Sequence, residues 1–190
     1  MKFIVYAFLL LIPSLALANS DPAIEGKKAE MFITSLGEQA IAALEGNAGN
    51  KSAIRNDFKK LLNKNFDMDT IARFAMGRYW AVATDTEKKQ YSKLFKTMIV
   101  DVYTERFSEY SGQSFNVKGH KPAGRKDFIV NSMIQGSGQP IKVDWRIRKG
   151  RVIDVLVEGV SMSVTQRSEF ASIIQRNGGQ VASLIGHLEK

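Results

Sequence analysis

Apolar residues recur every three or four positions between residues 22 and 110, which predicts a run of four helices. Asp21 followed by Pro22 is a capping residue before a first-turn proline, and this pair favours the start of the first helix. Asn50 is placed to cap the second helix. The first part of the chain is therefore predicted to be entirely helical.

The third predicted helix, at residues 66–80, has a wider apolar face than an ordinary surface helix. On a helical wheel its apolar side chains span roughly 200°, whereas a helix that faces a core needs only about 100°. These side chains are Met68, Ile71, Ala72, Phe74, Ala75, Met76 and Tyr79. The fourth helix is the longest periodic segment, and Thr84 and Glu87 have the spacing of a capping box at its start.

The apolar period changes from helical to alternating at residue 115. Four short runs rich in β-branched and aromatic residues, separated by turn signals, predict a four-stranded antiparallel meander. The third run places its apolar residues on one face and charged residues on the other. The apolar ones are Ile141, Val143, Trp145 and Ile147. We therefore expect the sheet to have one buried side and one charged side.

Two helices are predicted after the strands. Ser163 and Gln166 have capping-box spacing at the start of the first, and the AsnGlyGly sequence at 177–179 separates it from a last short helix. The order of helices, strands and helices predicts an α+β fold, in which helices pack over a curved antiparallel sheet of about four strands.

The first eighteen residues have the layout of a secretory signal peptide. Lys2 precedes an apolar run, and Ala16 and Ala18 form an A-x-A cleavage pattern. We expect export and a mature protein of one domain, residues 19–190. The sequence contains no cysteine, so disulfides and thiol chemistry are excluded and the fold must rest on burial alone.

The chain is basic, with a formal net charge of +8. Between residues 115 and 151, many basic residues stand against only Asp127 and Asp144. The basic residues are Lys118, Lys121, Arg125, Lys126, Lys142, Arg146, Arg148, Lys149 and Arg151. Anionic lipid headgroups and an acidic docking partner both suit such a segment, as does a solvated face without a partner. A nucleic acid fits poorly with export.

The sequence shows no catalytic or metal-binding constellation. Neither of the two histidines has a metal-binding spacing, and Ser161 lacks the second glycine of a nucleophile elbow. Asp154 and Glu158 share a strand face, so a glycosidase-type carboxylate pair is conceivable. Structural pairing, for example with Arg167, is the simpler interpretation. We expect neither an enzyme nor a bound metal or cofactor.

Motifs in several parts of the chain carry a family resemblance. They are FD...IA.F.MG.YW at 66–80, Tyr103 and Tyr110 in the fourth helix, DVLVEGVSM at 154–162, and Arg167 and Phe170 downstream. Together they resemble the MlaC family of periplasmic phospholipid carriers, also called toluene-tolerance proteins. The resemblance implies a cone-like fold similar to nuclear transport factor two, with lipid tails held between sheet and helices. It also implies shuttling through the periplasm between an outer-membrane lipoprotein complex and an inner-membrane ABC transporter complex with an MCE-domain subunit.

The resemblance implies no catalytic residues, and it leaves two alternatives open. A relative of the family is linked to hopanoids, so the cargo could be a polycyclic lipid, and a periplasmic docking protein without a cavity is the other alternative. For a carrier, the wide face of the third helix predicts a cavity as well as a core, with Arg78 a candidate at its mouth. The predicted lipid-binding residues are Ile71, Phe74, Ala75, Leu94, Phe95, Met98, Val102, Val130, Val143, Trp145, Val155 and Val157.

Overall fold

The protein is described here by a computed structural model over residues 21–190, so the predicted signal peptide at 1–18 lies outside the described residues. Within that range the helices are α1 (Pro22–Gly46), α2 (Lys51–Asn65), α3 (Met68–Met76), α4 (Asp85–Phe107), α5 (Met162–Arg176) and α6 (Val181–Leu188), with a 3-10 turn at Gly77–Ala81. The strands are β1 (Ser114–Ala123), β2 (Asp127–Gln135), β3 (Ile141–Arg148), β4 (Arg151–Val157) and β5 (Val160–Ser161). None of these helices combines the length and the apolar character that crossing a bilayer requires.

Side-chain caps start three helices at the predicted positions. Asp21 Oδ1 accepts a hydrogen bond from the Ala23 amide at 2.9 Å, and Asn50 Oδ1 accepts one at 3.0 Å from the amide three residues further on. Thr84 and Glu87 form both bonds of a capping box at the start of α4. Each cap satisfies amide groups that have no partner inside the helix, and all three predictions are confirmed.

The start of α5 differs from the prediction. Ser161 is the capping residue, since its Oγ accepts from the Val164 amide at 3.1 Å and donates to Asp154 Oδ2 at 2.6 Å. Ser163 already lies in the first turn and is buried. The prediction that Ser163 caps this helix is wrong because the chain turns from β5 directly into α5, two residues earlier.

The strands form one antiparallel sheet in chain order, β1 to β5. The four predicted strands are present, and β5 adds two residues that pair with the end of β4. So short a strand has no alternating pattern for the sequence to reveal. Bulges lie in the β1–β2 pair between Val117 and Gly119, and in the β3–β4 pair between Arg146 and Ile147. Bulges bend strands and increase their twist, and the predicted α+β architecture is confirmed.

Helix α1 lies close against β1 at two glycines. A Cβ atom on Gly26 would come within 2.2 Å of the His120 ring, and one on Gly37 within 2.2 Å of the Phe115 ring. These two contacts show that α1 runs antiparallel to β1. The N-terminal end of α1 therefore lies toward the β1–β2 turn, and its C-terminal half lies toward the start of β1.

Buried apolar residues form two clusters. The helical core joins α3, α4, α5 and α6 around three aromatic rings: Tyr91 and Phe95 are stacked with centroids 5.7 Å apart, and Phe170 meets both edge-on at 5.8 and 6.0 Å. The sheet core joins α1 to the inner face of the sheet, with Ile33 and Val130 fully buried at its centre. The candidate site lies beside the sheet core.

Candidate functional site

An apolar cavity of about 80 Å³ lies between α1, α2, the end of α4 and β3. Its lining consists of Leu36, Ala40, Ala43, Leu44, Ile54, Phe58, Leu61, Phe66, Phe107 and Trp145. All ten are aliphatic or aromatic. A hydrocarbon group can therefore bind here without leaving a buried polar group unpaired.

The helical repeat explains how α1 and α2 build two walls of this cavity. The lining positions on α1 are 36, 40, 43 and 44, and those on α2 are 54, 58 and 61, so each set occupies one face of its helix. Ala40 and Ala43 stand opposite larger side chains of α2, among them Phe58. The two alanines leave space that larger side chains on α1 would fill.

Aromatic pairs form the remaining walls. Phe58 and Phe107 meet edge to face with ring centroids 5.0 Å apart, and Phe66 meets Trp145 edge to face at 6.5 Å. Such pairs favour fixed relative orientations. They tie α2 to α4 at one side of the cavity and the α2–α3 connection to the sheet at the other.

The polar edge of Trp145 is satisfied inside the sheet. Its Nε1 donates to Ser132 Oγ at 2.9 Å, and Ser132 Oγ donates to the Val143 carbonyl at 2.7 Å. Because its N–H group already has a partner, Trp145 offers the cavity hydrocarbon surface alone. The site is thus suited to binding and carries no acid, base or nucleophile on its lining.

Helix α2 is fixed at its C-terminal end by a backbone hydrogen bond, and it contacts α4 through exposed ion pairs near its N-terminus and through Phe58 further along. The Asp67 amide donates to the Val152 carbonyl at 2.9 Å, which fixes the end of α2 to β4. The link from α2 to α4 includes an ion pair between Arg55 and Asp101 at 2.7 Å, with both side chains more than a third exposed. Exposed ion pairs contribute little stability. The N-terminal part of α2 is therefore held less firmly than its C-terminal end.

The structure distributes the predicted lining residues over several places. Trp145 lines the cavity. Residues that belong to the helical core or pack against it are Ile71, Ala75, Leu94, Phe95 and Met98. Residues on the inner face of the sheet are Val130 and Val155 in the sheet core, and Val143 and Val157 on the same face nearby. As ligand contacts these residues stay a prediction.

Two predicted lining residues, Phe74 and Val102, are 45% and 44% exposed, and their role in binding likewise stays a prediction. Arg78, the candidate for the mouth, does not belong to the cavity lining. Its Nη2 donates to Tyr79 Oη at 3.0 Å, and its guanidinium lies 5.0 Å from the centroid of the same ring. Arg78 thus covers the edge of the helical core.

Sequence reasoning missed nine of the lining residues. The periodicity of α1 and α2 was visible in the sequence. A periodic apolar face predicts contact with a core, however, and it does not show whether the neighbouring elements fill the space next to it. The available signal was the pair of small residues, Ala40 and Ala43, on the apolar face of α1. Small side chains facing large ones across two helices indicate incomplete filling.

The wide apolar face of α3 is used for packing. Ala72, Ala75 and Met76 are buried, as is Tyr79 in the following 3-10 turn, and all four belong to the helical core. Helix α3 contacts both α4 and α5. Two neighbouring helices account for an apolar arc about twice as wide as one neighbour requires.

The two carboxylates considered for catalysis have structural partners. Asp154 accepts hydrogen bonds from the start of α5, and Glu158 Oε1 accepts from the Lys142 amide at 2.5 Å. The suggested pairing with Arg167 is wrong, because that guanidinium lies 4.9 Å from the ring centroid of Phe74. Across residues 21–190, no three His, Cys, Asp or Glu side chains are grouped so that they could hold a metal ion.

Helices over an antiparallel sheet, with an apolar cavity between them, define a small binding protein. The MlaC protein family matches residues 35–190, and this chain belongs to that family. The recognition made from the sequence motifs is confirmed.

The chain is similar in sequence to two proteins of known name. The chain is 25% identical over 138 residues to the intermembrane phospholipid transport system binding protein MlaC of Haemophilus influenzae, covering 67% of this chain and 62% of that protein. It is 24% identical over 147 residues to the toluene tolerance protein ttg2D of Pseudomonas putida, covering 72% and 66%. The matched part thus spans less than two thirds of the length of either relative.

A solved structure shares the fold. It is the phospholipid-binding protein from Ralstonia solanacearum, determined in complex with a phospholipid, with a TM-score of 0.75 and 24% sequence identity. The match covers 85% of this chain and 94% of that one. It shows that this chain has the same α+β fold as that protein.

Proposed function

We propose that this protein is a periplasmic lipid carrier that holds the acyl tails of a phospholipid in the cavity between α1, α2 and β3. In this proposal it carries lipid between an outer-membrane lipoprotein complex and an inner-membrane ABC transporter complex with an MCE-domain subunit. The observation that carries the proposal is the wholly apolar lining of the cavity. Membership of the MlaC family and the phospholipid bound to the Ralstonia protein support it.

The energy of hydrocarbon transfer explains why a carrier needs such a site. At about 0.8 kcal/mol per methylene, moving two tails of about fifteen carbons into water costs on the order of 20 kcal/mol. A lipid cannot cross the periplasm at a useful rate against that cost. The carrier must offer an interior nearly as favourable as the bilayer, and it must exchange lipid while docked. It performs no covalent chemistry.

The size of the cavity indicates that its walls move when lipid enters. A volume of about 80 Å³ is smaller than the roughly 150 Å³ cavity that holds one benzene molecule in an engineered protein. An acyl tail therefore requires α2 to move away from α1. The exposed ion pairs at the N-terminal part of α2 and its firm C-terminal anchor favour a movement in which that part swings outward and separates Phe58 from Phe107.

The proposal is tested by filling the cavity from α1. Ala43→Trp places a large ring in the lining, whereas Ala42→Trp places the same ring on the neighbouring, exposed position. We expect protein purified from cells to carry lipid, visible by native mass spectrometry and in organic extracts. Ala42→Trp should keep this lipid, and Ala43→Trp should lose most of it while remaining folded by circular dichroism.

The extract also identifies the cargo. Phospholipid in the extract supports the proposal, and a hopanoid would replace phospholipid as the cargo. Equal lipid content in both tryptophan variants would show that the tails lie elsewhere. Protein that leaves the cell without any lipid would contradict the carrier function.

A further inference from the structure

Two hairpin turns bring basic residues together at one end of the sheet. The β1–β2 turn and the β3–β4 turn lie side by side, because Asp127 at the start of β2 pairs with Arg148 at the end of β3. We call the cations around these turns the basic tip. It consists of Lys121, Arg125, Lys126, Lys149 and Arg151.

Within the described part of the chain, the charges of the basic tip are compensated only at Arg151, which interacts electrostatically with Asp67. All five side chains are exposed, and none forms an ion pair with another residue of the 21–190 range. The acid between the turns, Asp127, is 3% exposed and is neutralised by Arg146 at 2.8 Å and Arg148 at 2.6 Å. Asp67 faces the same end, but its carboxylate caps α3 through the Thr70 amide at 3.0 Å. The tip therefore presents a strong positive charge to solvent.

An open groove that contains two apolar side chains, Met31 and Phe32, among polar ones lies next to the basic tip. Arg151 Nη2 donates to the Asn63 carbonyl at 3.0 Å, which joins the tip to the end of α2. Beyond that contact, α1 and α2 leave a groove lined by Lys28, Met31, Phe32, Ser35, Gln39, Lys64 and Asn65. Met31 is 65% exposed there, between two lysines. An exposed apolar side chain flanked by cations suits the boundary between lipid headgroups and acyl chains.

We propose that the basic tip and the adjacent groove bind the surface of an anionic phospholipid bilayer. The two turns carry Gly124 and Gly150 between their cations and present no large apolar side chain. Protein interfaces are centred on buried aromatic or aliphatic anchors, which the turns do not offer. Cations on long, mobile side chains suit a fluid layer of phosphate groups, because the lipids adjust their positions to the charges.

The position of this surface separates bilayer binding from cargo binding. The tip lies toward the N-terminal end of α1, whereas the α1 positions that line the cavity are 36–44 in its C-terminal half. The groove extends beside them to Gln39, but no residue that the structure describes lines both the groove and the cavity. A molecule held on a bilayer by the tip would keep the cavity free for exchange with a docked protein. The inference does not depend on which lipid the cavity holds.

Sedimentation with vesicles tests this inference. Wild-type protein is mixed with vesicles of equal parts phosphatidylcholine and phosphatidylglycerol, or of phosphatidylcholine alone. The test variant Arg125→Glu/Lys126→Glu reverses two charges of the tip, and the matched control Lys89→Glu/Lys93→Glu reverses two exposed charges on α4. We expect binding to the anionic vesicles alone, weakening with added salt. The tip variant should bind more than about tenfold more weakly, and the control should change far less.

The groove should make a separate and smaller contribution to vesicle binding. Met31→Ser should weaken binding to the anionic vesicles several-fold without changing its salt dependence, because it removes apolar contact and no charge. Circular dichroism and lipid content, measured on every variant, report folding and cargo independently of vesicle binding.

Several results would overturn the inference. These are binding that is equal for wild type and the tip variant, an equal loss in the control, or no binding of wild type to anionic vesicles. Wild type could fail to bind vesicles while the tip variant transfers less lipid between membrane complexes than wild type does. In that case the tip binds an acidic protein surface, and the assignment to the bilayer is wrong.

Discussion

The helical core and the sheet core differ in how completely their side chains fill the space between elements. In the helical core, Tyr91, Phe95 and Phe170 are at most 1% exposed and their rings touch one another. Next to the sheet core, α1 and α2 enclose an apolar cavity of about 80 Å³. Stability and binding capacity are thus placed in different parts of one small domain. The helical core holds α4 in place as one wall, while α2 provides a wall that can yield.

The largest expected difference between the two regions is in the cost of deleting an aromatic ring. Phe95→Ala removes a fully buried ring from the helical core and should reduce the free energy of unfolding by about 3–5 kcal/mol. Phe58→Ala removes a partly exposed ring beside the cavity and should cost less than about 2 kcal/mol, because fewer contacts are lost. Urea unfolding measures both.

The effect of these two variants on bound lipid should be the reverse of their effect on stability. Phe58→Ala alters the binding site and should change the amount or chain length of bound lipid, whereas Phe95→Ala should leave bound lipid unchanged in the protein that remains folded. Equal stability losses, or a lipid effect confined to Phe95→Ala, would contradict the division between the two regions.

The sheet also depends on an ionised group, whereas the buried residues of the helical core include no charged side chain. Hydrogen bonds from Arg148, and then from Arg146, lower the pKa of the Asp127 carboxyl below its ordinary value, against the opposing effect of burial. Asp127→Asn should cost about 2 kcal/mol at neutral pH, less than a fully buried pair would, because both guanidinium groups reach solvent.

The pH dependence of this effect has a definite sign. A lowered pKa in the folded state gives stability that is complete above the ordinary carboxyl pKa and is lost as the pH falls through the lowered value. The difference in unfolding free energy between wild type and Asp127→Asn should therefore shrink below about pH 4. Hydrogen exchange in acid should increase in β2 and β3 before it increases in α4. A difference that stays constant with pH would show that Asp127 does not act through its charge.

The smallest expected effect concerns the attachment of α2 to α4. Arg55→Ala removes one of their two exposed ion pairs and leaves that of Lys51 with Glu105, so it should cost no more than about 0.5 kcal/mol. If α2 moves when lipid enters, the variant should exchange fluorescent phospholipid with vesicles about twofold faster. Lys60→Ala is the control, because it breaks a pair with Asp57 inside α2 itself. If Lys60→Ala exchanges lipid as fast as Arg55→Ala, the explanation by movement of α2 away from α4 is contradicted.

Local features of the fold could be predicted because they depend on neighbouring residues. Asp21, Asn50 and Thr84 cap helices where the sequence placed caps, since a cap requires only a suitable side chain and the amides that follow it. The two faces of β3 could also be predicted, because alternation with a period of two shows directly which residues share a face.

The location of this cavity between α1 and α2 could not be predicted, because it depends on how the elements pack. The broad apolar face of α3 predicted a cavity as well as a core; its buried residues pack against two helices, and its contacts with lipid stay a prediction. The faces of α1 and α2 looked like ordinary core faces, and a space remains where Ala40 and Ala43 meet α2. Periodicity identifies an apolar face, but the partner of that face and the volume left between them are set by tertiary structure.

Photo-cross-linking of a bound phospholipid tests most directly whether acyl tails lie beside the sheet core. The protein is loaded with phospholipid that carries a diazirine in one acyl chain and is irradiated, and the modified peptides are identified by mass spectrometry. We predict adducts in residues 36–44 of α1, residues 54–61 of α2 and around Trp145 of β3. Adducts confined to residues 68–98 of α3 and α4 would contradict the account.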